Sequence, residues 1–173
     1  MTTIREVETA AGAAAYLDAL TGLLKACVDA GASIGFLPPL ERAESDAYWC
    51  EVFDDVARGT RILLVAVDDD QAIGSVQLGL ATKPNALHRG EVQKLIVHPD
   101  ARRRGLGRAL MERIEEAARR RGRTLLVLDT KRGDDAERLY PSMGWSRSGV
   151  IPHYARNGDG GLDDTVVFYK ELG

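Results

Sequence analysis

The hydrophobic and polar positions along the chain form short apolar runs, separated by polar turns, and longer segments with helical spacing. A first strand is predicted at 3–7. Apolar runs at 61–68 and 72–81 flank the polar turn 69–71, an arrangement typical of a hairpin. Further strands are predicted at 91–97, 124–129, 144–151 and 164–172.

Helical spacing of apolar residues predicts the segments between these strands. The predicted helices cover 10–32, 41–59, 107–122 and 134–143. Gly31, Gly59 and Gly122 are placed to end the first three of them, and Pro141 cuts the fourth. The order of elements favours the α/β (α+β) class, with one mixed sheet of about seven strands flanked by about four helices. No repeat or linker interrupts the chain, so 1–173 is predicted to be a single domain.

The composition is that of an ordinary globular protein, with 45% apolar and 28% charged residues. The formal net charge of −3 gives no overall attraction to nucleic acid or to an anionic membrane. Cys27 and Cys50 are too few for a disulfide framework, which fits a reducing compartment. No secretory signal is recognised at the N-terminus, and no apolar run approaches about 20 residues. We therefore expect a cytoplasmic protein without nucleic-acid or membrane partners.

One predicted turn is strongly basic, although the chain as a whole has a negative net charge. Three arginines at 102–104 directly precede Gly105-Leu106-Gly107, and a predicted helix follows. The first turn of a helix has backbone N–H groups without partners, which attract anions together with the helix dipole. Glycines allow close approach of the backbone, and arginines add charge-assisted contacts to phosphate oxygens. The pattern predicts a pyrophosphate-binding site.

Other nucleotide and catalytic motifs fit less well. The P-loop sequence is absent. The dinucleotide pattern G-x-G-x-x-G is nearly met, and Asp129 follows the glycines at about the sequence separation of an acidic residue that contacts the ribose. Leu110, however, replaces the third small residue of the pattern. Pro99 and the basic stretch also separate the strand from the glycines, whereas a dinucleotide-binding fold turns tightly there. In addition, the preceding hairpin is not a βαβ unit. His88, His98 and His153 lack zinc-ligand spacing, and no Gly-x-Ser-x-Gly elbow is found, so neither a metal nor a serine nucleophile is expected.

Two motifs together resemble the GNAT superfamily of acetyltransferases. Arg102-x-x-Gly105-x-Gly107, after the strand, is similar to its acyl-CoA signature, and 136–145 is similar to its A-x-x-L-Y-x-x-x-G-F/W segment. The resemblance implies the GNAT fold and acetyl-CoA as co-substrate. A longer resemblance, to the tabtoxin-resistance acetyltransferases, extends over 29–36, 83–111, 125–130 and 157–173. It implies N-acetylation of a small amine, such as an antibiotic or tabtoxinine-β-lactam, by direct attack in a ternary complex, and hence antibiotic resistance.

The resemblance also implies roles for the residues of the cofactor strand and basic turn. The backbone of Leu95, Ile96 and Val97 would pair with the pantetheine arm. The turn would wrap the pyrophosphate, and some of its arginines could reach the ribose 3′-phosphate, without a fixed assignment among them. The implied cofactor-binding residues of the turn are Arg102, Arg103, Arg104, Gly105, Leu106, Gly107 and Arg108.

Proton transfer requires further groups, because an alkylammonium with a pKa near ~10 is not nucleophilic at neutral pH. Glu91 and Asp129 are the carboxylates that could remove the proton or hold the substrate ammonium, and the choice between them stays open. Tyr140 matches the superfamily tyrosine near the thioester sulfur and is predicted to be the general acid. Phe36 and Tyr154 are expected to line the substrate cleft.

Two departures from the superfamily pattern are visible. Gly133 stands where many members have asparagine, which removes one cofactor contact, and the charge of Asp129 replaces an uncharged residue. Two other functions remain open: a non-catalytic acyl-CoA-binding regulator, and a peptide N-acetyltransferase. The sequence leaves open whether the protein is a monomer or a homodimer.

Overall fold

A computed structural model of the protein, describing residues 1–69 and 71–173, contains one seven-stranded mixed sheet. The strands are β1 (Thr3–Glu6), β2 (Arg61–Asp68), β3 (Gln71–Leu80), β4 (Arg89–Val97), β5 (Leu125–Lys131), β6 (Ser146–Arg156) and β7 (Leu162–Glu171). Their order in the sheet is β1-β2-β3-β4-β5-β7-β6. All neighbours are antiparallel except β4 and β5, which run parallel. The predicted mixed sheet is therefore confirmed.

The α-helices are α1 (Ala10–Ala14), α2 (Leu17–Asp29), α3 (Arg42–Ala57), α4 (Leu106–Arg120) and α5 (Asp135–Leu139). The single helix predicted at 10–32 is wrong, because the chain turns between α1 and α2. The Tyr16 amide bonds to the Ala13 carbonyl three residues earlier, which tightens the backbone there. Within the described ranges, no helix is both long and apolar enough to span a bilayer. Asp70, in the predicted hairpin turn, lies outside the described residues.

Two hydrophobic clusters lie on opposite faces of the sheet. On one face, Leu110 and Ile114 of α4 are fully buried against the sheet, as the helical spacing predicts. On the other face, Leu24 of α2 and Trp49 of α3 are fully buried. Residues 62–67 of β2 are buried on both faces, because helices cover the strand from each side. Helices α2 and α3 pack on β2, β3 and β4.

The central strand β5 is covered more fully on one face than on the other. Leu126 and Leu128 are buried under α4, whereas Leu125 and Val127 on the opposite face are only half-buried and Asp129 is exposed. The sequence of this strand is apolar on both faces, but only the face towards α4 is fully buried. Because α2 and α3 lie over the first four strands, one face of β5 and β7 stays open beside β4. This opening positions the candidate site.

A buried ion pair ties α4 to the last strands. Glu115, only 5% exposed, accepts hydrogen bonds from Lys170 Nζ at 2.7 Å and from Trp145 Nε1 at 2.9 Å. Lys170 also donates to the Met143 carbonyl at 2.7 Å. The three contacts satisfy polar groups that would otherwise be costly to bury. They fix the segment that follows Tyr140 onto the core.

We expect Glu115→Ala to lower the free energy of unfolding by about 3–5 kcal/mol, because it removes the carboxylate that neutralises the largely buried Lys170 ammonium and leaves that charge only the Met143 carbonyl. Glu116→Ala is the control, since Glu116 forms only an exposed pair with Arg113 and should cost no more than about 0.5 kcal/mol. Urea denaturation followed by fluorescence measures both. Equal losses in the two variants would contradict the structural role of the buried pair.

Candidate active site

The candidate site is a cleft that opens where β4 and β5 diverge. Their parallel pairing covers only three residue pairs and ends at Glu91 opposite Val127. β4 then continues to Val97 and β5 to Lys131 without further pairing to each other. One edge of this part of β4 is paired with β3, and the backbone N–H and C=O groups on its other edge face the gap rather than a neighbouring strand.

The cleft has a volume of about 1010 Å³, at the upper end of the range of about 300–1,000 Å³ for small-molecule sites. It brings together most of the residues that the sequence predicts for the site. Those lining it are Glu91, Leu95, Ile96, Val97, Arg102, Arg103, Gly105, Leu106, Gly107, Arg108, Asp129, Tyr140 and Tyr154.

Phe36 is not among the residues that line the cleft, and its role towards the substrate stays a prediction. Its ring is half-buried and packs edge-on against Tyr48 of α3, with 5.2 Å between ring centroids. Ile34 and Gly35, just before it in the same loop, line the cleft instead. Contact with α3 turns the phenylalanine inward, and this contact is not visible in the local sequence.

Arg104 also lies apart from the other predicted residues. It lines a neighbouring hollow of about 270 Å³ together with Thr2 and Ile4, and this hollow shares Gly105 and Leu106 with the cleft, whereas Arg104 does not line the cleft. Arg103, just before it, has a positive φ of 60°. The change of backbone direction sends the neighbouring side chains to different sides of the turn. The cofactor role predicted for Arg104 therefore has no support from its position.

The basic turn presents a set of free backbone donors. Gly105 precedes α4 in the left-handed conformation, with φ of 78° and no capping side chain. In the part of the chain that the structure describes, no carbonyl or side chain accepts a hydrogen bond from the N–H groups of residues 103–108. These donors lie at the positive end of the 15-residue helix α4. The arrangement is suited to a phosphate or pyrophosphate anion.

The arginines of the turn have different surroundings. Arg102 Nε donates to the Val97 carbonyl at 3.2 Å, which holds the turn against the end of β4. Arg108 donates to Ser142 Oγ at 2.8 Å and ties the start of α4 to the segment after α5. Arg103 makes neither an ion pair nor a side-chain hydrogen bond within the described ranges. Its guanidinium is therefore available to a ligand in the cleft.

The two candidate carboxylates lie on the same face of the sheet. Glu91 ends the paired part of β4, and Asp129 lies two residues beyond its partner Val127 on β5. Both side chains are exposed to the cleft. Thr165 Oγ1 on β7 donates to Asp129 Oδ2 at 2.7 Å and holds that carboxylate in place. The structure thus brings both carboxylates to one cleft without choosing between them as the base.

Tyr140 is held rigidly at the end of α5. Its ring packs against Phe168 and Trp145, with centroid separations of 5.6 and 5.9 Å, and the residue is 4% exposed. Burial raises the pKa of Tyr140 well above its ordinary value, and the negative charge of Asp129 raises it further. The phenol therefore stays protonated at neutral pH. Within 1–69 and 71–173, nothing hydrogen-bonds to its hydroxyl, which leaves it free to donate to a ligand.

Lys94 lines the cleft and was missed by the sequence analysis. A β-bulge places Lys94 and Leu95 opposite the single residue Val76 of β3. Lys94 has a positive φ of 50°, which costs a non-glycine residue about 1–2 kcal/mol. Its ammonium lies 5.9 Å from the ring centroid of Phe36 and 5.8 Å from that of Tyr48. A lysine inside an apolar strand was the signal that could have identified it.

Among the described residues, no group of three or more His, Cys, Asp or Glu side chains is arranged to hold a metal ion. Cys27 lines the cleft but is fully buried, with its Sγ 3.4 Å from the Val97 carbonyl. Burial raises the pKa of this thiol. The thiolate is therefore disfavoured, and we assign Cys27 to packing.

The chain was compared with known proteins. The model of the acetyltransferase (GNAT) family matches residues 24–145. A ribosomal-protein-alanine N-acetyltransferase from Brucella melitensis is 25% identical, with 98% of this chain and 99% of that chain covered and a TM-score of 0.79. YncA from Salmonella typhimurium, a proposed acetyltransferase solved with acetyl-CoA, is 22% identical over 100% and 95% of the two chains, with a TM-score of 0.80. A proposed phosphinothricin N-acetyltransferase is 18% identical over 100% and 99%, with a TM-score of 0.79.

The two glycines of the basic turn give a matched stability test. Gly105→Ala should lower the free energy of unfolding by about 1–2 kcal/mol, because its left-handed backbone strains any residue with a Cβ, although no atom lies within 4 Å of that Cβ. Gly107→Ala is the control. A Cβ there meets only Leu139 Cδ2 at 3.7 Å and Val97 Cγ2 at 4.0 Å, so stability should stay unchanged or rise by up to about 1 kcal/mol. If urea denaturation gave Gly105→Ala a free energy of unfolding equal to or above that of Gly107→Ala, the assigned turn geometry would be refuted.

Proposed function

The chain belongs to the GNAT family of acetyltransferases, and on this premise we propose that it transfers an acetyl group from acetyl-CoA to the amine of a small molecule. An antibiotic or an amino-acid-like toxin such as tabtoxinine-β-lactam is the acceptor class that we favour. The observation that carries the proposal is the cleft itself, because Glu91, Asp129 and Tyr140 line it together with the anion-binding turn. The reaction would proceed by direct attack of the amine within a ternary complex.

The chain offers two kinds of backbone contact to acetyl-CoA. The part of β4 that has no pairing to β5, which contains Leu95–Val97, can hydrogen-bond on that edge to the amide groups of the pantetheine arm as a further strand would. The free N–H groups of residues 103–108 can receive the pyrophosphate, with the Arg103 guanidinium beside them. Among the described residues, the N–H groups of 103–108 have no partner and the β5 side of β4 beyond Glu91 has no neighbouring strand, which is the physical reason why this cleft fits the molecule.

The side chains of the cleft divide the proton transfers between them. Glu91 or Asp129 takes a proton from the acceptor ammonium, directly or through water, and frees the nitrogen lone pair. The neutral nitrogen then forms a bond to the thioester carbonyl carbon and gives up one of its two remaining protons to water, and the carbon–sulfur bond breaks to leave the amide. Tyr140 donates its hydroxyl proton to the departing sulfur, since its raised pKa keeps that proton in place beforehand.

Contact between two loops favours a small acceptor. Pro38 lies so close to Gly158, in the connection between β6 and β7, that a Cβ on Gly158 would lie 2.9 Å from Pro38 Cγ. Gly35 and Tyr154, which flank this contact in their respective segments, both line the cleft. The two segments that contribute Gly35 and Tyr154 to the cleft therefore contact each other a few residues away from these positions.

A peptide acceptor is the second candidate function. The observation that favours it is the 25% identity to a ribosomal-protein-alanine N-acetyltransferase over nearly the whole of both chains. The meeting loops oppose it, because a peptide needs an open path for the rest of its chain. A non-catalytic acyl-CoA-binding regulator would have no need for two carboxylates and a buried phenol in one cleft.

The direct test measures thiol release from acetyl-CoA with a panel of amino acids, aminoglycosides and β-lactam amines. We expect release with at least one small amine. In Tyr140→Phe, kcat should fall by about 10²–10⁴-fold, the usual contribution of a general acid, while the Kd for CoA stays within about twofold, because the ring packing is retained. Binding of CoA without release for any acceptor would favour the regulator, and an unchanged kcat in Tyr140→Phe would remove the assigned acid.

A second test uses neighbouring arginines. Arg103→Gln should raise the Kd for CoA about tenfold, the value of one lost charge-assisted hydrogen bond, and should reduce its salt dependence. Arg104→Gln removes the same charge from the next residue, which faces the neighbouring hollow, and should change the Kd by no more than about twofold. Calorimetry at two salt concentrations measures both. A larger effect for Arg104→Gln would reverse the assignment.

A further inference from the structure

Lys94 brings a positive charge to the acceptor side of the cleft. The bulge in β4 places Gln93 and Lys94 on the same side of the sheet, because Val92 packs with the α4 cluster and Ile96 with the opposite one. Lys94 Nζ lies directly over the backbone of Gly35, where an added Cβ would be 3.2 Å away. The ammonium is therefore held against the loop that precedes α3, away from the basic turn.

The Lys94 ammonium has no partner within the described ranges, neither an ion pair nor a hydrogen bond. Its neighbour Arg61 differs in this respect. Arg61 binds Asp55 at 3.0 Å and donates to Gln77 at 2.7 Å and Gln93 at 2.8 Å. The fold thus neutralises the Arg61 guanidinium and leaves the Lys94 ammonium with three free donors. A half-buried charge without a partner is costly unless a ligand supplies one.

The surroundings of Lys94 leave one direction open. The rings of Phe36 and Tyr48 flank its ammonium on the protein side. Burial lowers the pKa of Lys94 and the Arg61 charge lowers it further, whereas Asp129 and Glu91 raise it. The two carboxylates are thus near enough to act on the ammonium through space, but neither lies within the 4.0 Å of an ion pair. The cleft between these opposite charges is open.

We propose that Lys94 binds a carboxylate group of the acceptor, and that the acceptor is a small zwitterion, an α-amino acid or a close analogue. Its amine then lies towards Glu91 and Asp129 and its carboxylate lies towards Lys94. The inference rests on the proposed function, since it names the acceptor of that same cleft. A peptide N-terminus has an uncharged amide where an amino acid has its carboxylate, so Lys94 selects against peptides as well as against simple amines.

The experiment measures kcat/KM for a panel of α-amino acids, each paired with its carboxamide, by thiol release from acetyl-CoA. The carboxamide retains the side chain and the amine, and its amine is the more easily deprotonated of the two. Intrinsic reactivity therefore favours the carboxamide, and a preference for the acid must come from the site. We expect the protein to prefer the acid by about 10- to 100-fold, the range for a hydrogen bond to a charged group.

Two variants attribute that preference to Lys94. Lys94→Met keeps the length of the side chain and removes the charge, so it should raise KM for the acids by about 10- to 100-fold and bring the ratio of kcat/KM for acid over carboxamide close to one. Lys94→Arg retains the charge and should retain most of the preference for the acid. The comparison of acid with carboxamide in the unaltered protein does not depend on either variant folding.

Several outcomes overturn the inference. Transfer to carboxamides or peptides at rates equal to or above those for the acids would refute it and leave acetyl transfer to amines intact. A decrease in kcat/KM of Lys94→Met that is equal for acids and carboxamides would show that Lys94 does not bind the carboxylate. Binding of CoA without transfer to any acceptor would instead refute the proposed function, and this inference with it.

Discussion

The early end of the β4–β5 pairing is the constraint on which the rest of the site depends. Parallel strands normally continue to satisfy each other along their length, but here the ladder stops at Glu91 and Val127. The two strands then enclose a gap whose walls carry unpaired backbone groups. Because α2 and α3 cover only the first part of the sheet, this gap is open to ligands on one face. The same divergence thus creates both the room and the hydrogen-bonding surface of the cleft.

The cleft separates its charges along its length. The basic turn and the positive end of α4 supply donors for a phosphate group, although the chain as a whole has a net charge of −3. Glu91 and Asp129 supply negative charge where β4 and β5 part. Tyr140 is placed near the second carboxylate by aromatic packing that the Glu115–Lys170 pair supports from the far side of the core. The polar groups of the site are therefore held by the interior of the protein rather than by flexible loops.

Irregular backbone occurs where the site needs a side chain in an unusual direction. Lys94 and Arg103 both have positive φ values, which are uncommon for residues with long side chains. The first follows from a bulge in β4 and turns an ammonium towards Phe36 and Tyr48. The second reverses the turn before α4 and separates Arg103 from Arg104. Such strain is stable only because the neighbouring strand and helix fix the backbone on both sides.

The sequence by itself determined the order of the strands, the basic turn before α4 and the identity of the two carboxylates and the phenol that the cleft brings together. These features depend on spacing within one segment, such as the apolar period of α4 or the glycines at 105 and 107, and neighbours along the chain encode such spacing. The tertiary structure alone decided that Phe36 packs inward, that Arg104 faces away, that one predicted helix is two, and that Lys94 joins the cleft. Each of these depends on contacts between segments far apart in the sequence. A one-residue bulge between β3 and β4, or one aromatic contact from α3, changes the direction of a side chain without any sign in the residues beside it.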